Sequence, residues 1–144
     1  MNIEQIAIRF TDRPYPTPGD VPIDHPYRQR WWLPILGPTA TCLLNQLTQH
    51  SDKDAWQLHP TLTLGATVGL GKGNSKHSPL IRSLDRLPRF GFGHWEVEPG
   101  GDCEPCLTLY RTIFLTTPRL TRNWPQELQQ AHALDLAEMY RLAS

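Results

Sequence analysis

The chain reads as an α+β domain, mainly helical. Three observations predict this: apolar residues recur at helical spacing in several segments, two apolar–polar alternations flank a Pro-Gly-Gly-Asp turn at residues 99–102, and prolines punctuate nearly every boundary. At 144 residues it is most simply one domain with its own hydrophobic core.

Residues 2–10 alternate Ile6, Ile8 and Phe10 against Ala7 and Arg9, the pattern of a short strand. Pro14, Pro16, Pro18, Pro22 and Pro26 follow, a density that forbids helix and predicts an extended arm. Asp24 is a candidate cap for the next segment. Residues 25–36 place Tyr27, Trp31, Trp32, Ile35 and Leu36 beside Arg28 and Arg30, an amphipathic helix bent before Pro34. The two tryptophans suit a core better than an exposed stacking platform. Gly37 and Pro38 break that helix and open a second over 39–50, with Ala40, Leu43, Leu44 and Leu47 inward.

A polar turn at 51–54 leads to a brief strand at 55–59, marked by Trp56 and Leu58. Pro60 then opens a weak helix over 61–68; the rival reading extends the strand through Leu62 and Leu64. Gly69, Gly71 and Gly73 supply the positive φ angles of a tight turn. Ser78 and Pro79 are a cap and a first helical residue for a third helix ending near Arg89. Residues 93–98 and 106–115 form a β-hairpin, and Pro125 opens a last helix over 126–142.

The third helix carries the chemistry. Leu80, Leu84 and Leu87 fall on one stripe, while Arg82, Arg86 and Arg89 repeat the same spacing two residues later and fall opposite. One face packs on a core; the other offers guanidinium groups to an anion. Lys72, Asn74, Ser75, Lys76 and His77 lie on the turn before it, with Asp85 the sole acid between Lys72 and Arg89. Arg82 is placed to read a base edge, and Lys72 and Lys76 to hold phosphate. Such a rod is what a helix-turn-helix protein inserts into a DNA groove. The bland alternative is a solvated basic face.

The order helix, short strand, helix, helix, hairpin is that of a winged helix-turn-helix domain: a three-helix core with a β-hairpin wing. The chain also resembles winged helix-turn-helix DNA-binding proteins of actinobacteria and their phages. The resemblance rests on His25-Pro26-Tyr27, on Arg30-Trp31-Trp32-Leu33-Pro34-Ile35-Leu36-Gly37-Pro38-Thr39-Ala40, on Leu70-Gly71, and on Ser78-Pro79-Leu80-Ile81-Arg82-Ser83-Leu84 with Arg89-Phe90-Gly91. It covers roughly residues 24–135 and implies a DNA-binding regulator, with no catalytic residues to transfer. The expected organisation is a strand and Pro-rich arm at 1–26, the winged domain at 27–117 and a C-terminal helical segment at 118–144.

One departure stands out. The wing carries Glu96, Glu98, Asp102 and Glu104, with no Lys or Arg between His94 and Arg111. Carboxylates are repelled by phosphates. The wing is therefore expected to stay out of the groove: either the third helix and its preceding turn do the binding, or the acidic wing mimics nucleic acid or meets a basic protein partner; a winged-helix protein-interaction module is the alternative function.

Other signals are weaker. The 14 basic residues cancel the 14 acidic ones, which argues against a polybasic binder, and 11 of the 14 are arginine. Arg9, Arg13, Arg28 and Arg30 flank the proline arm, which either enters a minor groove or packs on the domain edge. Cys103 and Cys106 form a lone C-x-x-C; a zinc site would need Cys42 and a histidine such as His94 as well. Gly69-Leu70-Gly71-Lys72-Gly73 fails the phosphate-loop pattern at both ends. No H-x-x-x-H, G-x-S-x-G or paired carboxylates appear. No cofactor, metal or catalysis is expected. The absence of an apolar span and of a signal-like start predicts a cytoplasmic protein. The expected partner is double-stranded DNA, bound by a repressor, with Leu128, Leu136 and Met139 as a candidate homodimer face.

Overall fold

The computed structural model describes residues 2–71 and 73–143. The chain forms an α+β fold with a mixed sheet and divides into two units, Met1–Phe114 and Leu115–Ser144. The first unit absorbs the segment expected as a separate arm. Its strand β1 (Gln5–Thr11) lies in the middle of a four-stranded sheet of order β3-β1-β5-β4.

β1 runs antiparallel to β3 (Gln57–Pro60) and parallel to β5 (Cys106–Tyr110); β5 runs antiparallel to β4 (Gly93–Val97). Alternation explains the central position. Ile6, Ile8 and Phe10 of β1 and Leu107 and Leu109 of β5 are all buried, so the two strands share one apolar face. The hairpin β4–β5 forms as its alternation predicts, with a bulge between Trp95 and Val97. β5 ends at Tyr110 instead of continuing to 115. Arg111 breaks it: its amide donates to the Thr11 carbonyl and its guanidinium to Asp12, Asp54 and the Ser51 carbonyl. The chain then turns to pair β6 (Thr112–Ile113) with β2 (Val21–Pro22) in a small second sheet.

The expected helix over 25–36 is two short helices, α1 (Pro26–Trp31) and α2 (Leu33–Leu36). Pro34 has no N–H to continue the ladder, which explains the break. His25, not Asp24, caps α1: its Nδ1 accepts from the Tyr27 amide at 3.0 Å. Trp31 and Trp32 are core residues; Trp32 packs edge-on against Phe92 at 4.9 Å and donates to the Phe114 carbonyl. Arg28 is also buried, donating to the Ile23 carbonyl and to Asn45 Oδ1, and desolvation pulls its pKa down to about 10.

α3 (Pro38–Leu47) buries Ala40, Leu43, Leu44 and Leu47 as its spacing predicts. α4 (Thr61–Thr67) is helical, so the rival strand reading fails there. The chain leaves β3 because the Thr61 hydroxyl and amide both bond backbone carbonyls of the residues before β1. α4 ends in a Schellman motif, with Leu70 N–H on the Gly65 carbonyl and Gly69 at φ 76°. Gly69 alone of the three turn glycines has a positive φ; Gly71 and Gly73 do not need one. α5 (Pro79–Arg89) closes the same way, with Gly91 at φ 86° and Phe92 N–H on the Leu87 carbonyl.

The second unit holds α6 (Pro118–Thr121) and α7 (Gln126–Ala143). Inside it His132 is buried, bonded to the Thr116 hydroxyl at 3.1 Å and edge-on to Trp124. Among the described residues, no helix is long and apolar enough to cross a membrane.

Candidate nucleic-acid interface

Ser78 caps α5, its hydroxyl accepting from the Ile81 amide, and Pro79 takes the first position. Leu80, Ile81, Leu84 and Leu87 are buried, so the apolar stripe faces the core as predicted. The arginine stripe does not behave as a unit. Arg82 is exposed and, among the described residues, holds no hydrogen-bond or ion-pair partner. Arg89 is exposed but pairs with Asp85 one turn back at 3.0 Å. Arg86 departs from the expectation. Its guanidinium folds back on α2, donating to the Leu36 carbonyl at 2.7 Å and the Ile35 carbonyl at 2.6 Å. It binds carbonyls that a four-residue helix leaves without intrahelical donors, and so is a tie between α5 and α2 more than a projecting ligand.

The turn before α5 brings Lys76 and His77 to the surface next to Arg82. Asn74 and Ser75 are half-buried and hold the turn: the Asn74 carbonyl accepts from Ile3 N–H, and the Ser75 carbonyl from Ser78 N–H. These two are backbone anchors, with less side chain on offer than the sequence suggested. Lys72 lies outside the described residues.

The hairpin lies alongside this surface. Trp95 of β4 donates its indole N–H to Asp85 Oδ1 at 2.9 Å, so Asp85 serves both Trp95 and Arg89. At the tip, Gly100 has φ 102°, and a Cβ there would stand 2.8 Å from Cδ of Lys76. The result is a groove of about 650 Å³ between α5 and the hairpin. Arg82, Arg86, Arg89 and Lys76 line it together with Asp85, Glu98 and Trp95. The Asp85–Trp95 clamp was not legible in the sequence, since nothing there pairs residues on different elements.

A second polar cluster crosses the other face of the sheet. One oxygen of Glu96 receives His94 Nε2 at 2.7 Å, the Thr108 hydroxyl at 3.1 Å and Arg9 Nη2 at 3.2 Å. Those bonds, His94 first and Thr108 next, hold the Glu96 carboxyl below the usual range. Tyr110 Oη lies 2.9 Å from His94 Nδ1, and the Arg9 guanidinium stacks 4.5 Å over Trp56. The i, i+2 spacing of His94 and Glu96 in a strand was the signal for this cluster. The same contacts settle the arm arginines on the domain itself. Arg13 pairs with Asp20 at 2.7 Å and lies over Phe114, and Arg30 lies over Trp31.

Cys42, Cys103 and Cys106 are free thiols; among the described residues no group of three or more His, Cys, Asp or Glu is placed to hold a metal ion. Burial, and then Glu104, raises the Cys106 pKa, which makes it a poorer thiolate.

No family model, curated protein or solved structure matches the chain.

Proposed function

We propose that this chain is a winged helix-turn-helix protein that binds duplex DNA through α5 and regulates transcription as a repressor. The observation that carries the reading is Arg82, exposed and without a hydrogen-bond or ion-pair partner among the described residues, on a helix whose opposite stripe is buried. The element order α3, β3, α4, α5, β4–β5 supports it, with β1 inserted between β3 and the hairpin. So does the resemblance to actinobacterial and phage winged-helix proteins. Arg82 reads a base edge; Lys76 and Arg89 hold phosphates, Arg89 after exchanging Asp85 for phosphate.

The two cations on phosphates, Lys76 and Arg89, set the salt dependence. At about 0.9 counterions per phosphate neutralised, log K against log salt has a slope of roughly −1.8 per protomer. Selection of bound fragments from a random DNA pool, followed by gel shifts with Arg82→Ala and Lys76→Ala, tests the reading. The single variants each lose affinity, and Arg82→Ala also relaxes the selected sequence. Unchanged retention by both variants overturns it. A palindromic selected site reports a homodimer; the expected face of Leu128, Leu136 and Met139 is half-buried, and α7 exposes Leu134, Tyr140 and Leu142 instead.

The second reading, a protein-interaction module, has its own observation. Glu98, Asp102 and Glu104 are all exposed around the hairpin tip. It predicts that charge reversal at the tip, and not at Arg82, abolishes capture of a basic protein partner.

A further inference from the structure

We propose that the groove between α5 and the β4–β5 hairpin is a binding site for a small aromatic phosphomonoester. The inference goes beyond DNA binding and does not need it.

Size comes first. A groove of about 650 Å³ falls within the range that holds small organic ligands. Trp95, Glu98 and Pro99 of the hairpin form its second side, opposite α5.

Charge comes second. Lys76, Arg82, Arg86 and Arg89 bring four cations to the lining against the carboxylates of Asp85 and Glu98, an excess of two. Both Asp85 oxygens are occupied, one by Trp95 and one by Arg89, so that acid is not directed into the groove as a free acceptor. A phosphomonoester dianion matches the excess, and Arg82 offers the planar fork that phosphate takes in bidentate fashion.

The rest of the lining selects the ligand's body. Pro79 and Pro99 join Trp95 as apolar surface beside the cations. A bare phosphate leaves that surface wet; a ring carrying the phosphate covers it. Lys76 lies against Gly100 at the tip, so the cation nearest the mouth is positioned by the hairpin itself.

The probe is phenyl phosphate, with inorganic phosphate and phenol as the two halves of its chemistry. Trp95 is the reporter, because its indole N–H is bonded to Asp85 within the lining. Its nitrogen–proton signal is assigned by its loss in Trp95→Phe. Titration with phenyl phosphate is expected to move that signal. Inorganic phosphate binds about tenfold more weakly, and phenol leaves the signal in place. Arg82→Ala, an exposed site where folding is retained, weakens phenyl phosphate by about tenfold. Lys53→Ala, on a distant exposed turn, leaves it unchanged.

A Trp95 signal that does not move at millimolar phenyl phosphate overturns the proposal. So does equal affinity for phenyl phosphate and inorganic phosphate, or indifference to Arg82→Ala. Gel shifts on the same variants separate this from the DNA reading. DNA bound without phenyl phosphate removes the groove ligand alone, and phenyl phosphate bound without DNA removes the regulator alone.

Discussion

Arg86 and Arg82 sit one turn apart on the same helix and are expected to fail in different ways when cut back to alanine. Arg86 makes two charge-assisted bonds, at 2.7 and 2.6 Å, to the last carbonyls of α2. A hydrogen bond to a charged group contributes about 1.5–3 kcal/mol. The site is half-buried, so solvent screens part of this and the lower end applies. Arg86→Ala should therefore cost about 2–3 kcal/mol, with α2 losing its tie to α5. At about 4 °C per kcal/mol, the midpoint falls by roughly 8–12 °C. Arg86→Lys keeps the charge but cannot span both carbonyls, so it recovers less than half. Arg82→Ala should change stability by no more than about 0.5 kcal/mol, because the side chain is exposed and makes no hydrogen bond or ion pair among the described residues. Thermal unfolding followed by circular dichroism reads all three variants. A melting point unaffected by Arg86→Ala, or lowered as much by Arg82→Ala, refutes the assignment of one arginine to the scaffold and the other to a ligand.

Gly93→Ala should be among the most damaging substitutions available. A Cβ there collides with the Thr108 carbonyl and stands 3.0 Å from Cα of Leu109, both backbone of a central strand that cannot retreat. A loss of about 3 kcal/mol or more is expected by chemical denaturation, with Gly101→Ala, which meets open space, near neutral. Acid should weaken each unit through a histidine. Burial lowers the pKa of His59 in the first unit and of His132 in the second, so unfolded chains take up protons first. Stability then falls as pH drops below about 6.5 and levels off once the folded histidines also protonate. Urea midpoints across that window should fall less in His59→Gln, and an unchanged slope contradicts the role given to burial.

Much of the fold was legible because local signals and packing agreed. Pro38, the glycine after α4 and the Ser78–Pro79 start of α5 all act through the backbone of their own segment, and each did what its chemistry predicts. The central place of β1 was not legible. Its partners lie about 50 and about 100 residues away, and alternation states that a strand is half-buried without naming its neighbour. The end of β5 was hidden for the same reason, because the residue that stops it, Arg111, is held by Asp12 and Asp54 from other loops. At the candidate site the helical period gave the exposed positions of Arg82 and Arg89, but not the Asp85 partner of Arg89 or the inward turn of Arg86. Arg86 turns inward because α2 ends nearby with free carbonyls, a fact of tertiary geometry.

The zero net charge of the chain conceals an uneven cancellation. Arg9 is matched by Glu96, Arg13 by Asp20, Arg89 by Asp85, Arg111 by Asp12 and Asp54, and Arg141 by Glu138. These pairs use up arginine that composition alone would count toward nucleic acid. Arg82 and Lys76 are left at the start of α5, with the carboxylates of the hairpin within a few residues of Gly100. Charges that close interact inside the ~8 Å screening length of physiological salt, so the hairpin lowers the local potential that Lys76 and Arg82 create. Broad attraction to a polyanion is therefore weak on this surface. Any duplex it holds must be held by direct contact from Arg82, where a bidentate base contact contributes about 1–3 kcal/mol of discrimination. A neutral chain with an acidic hairpin thus favours selectivity over non-specific grip.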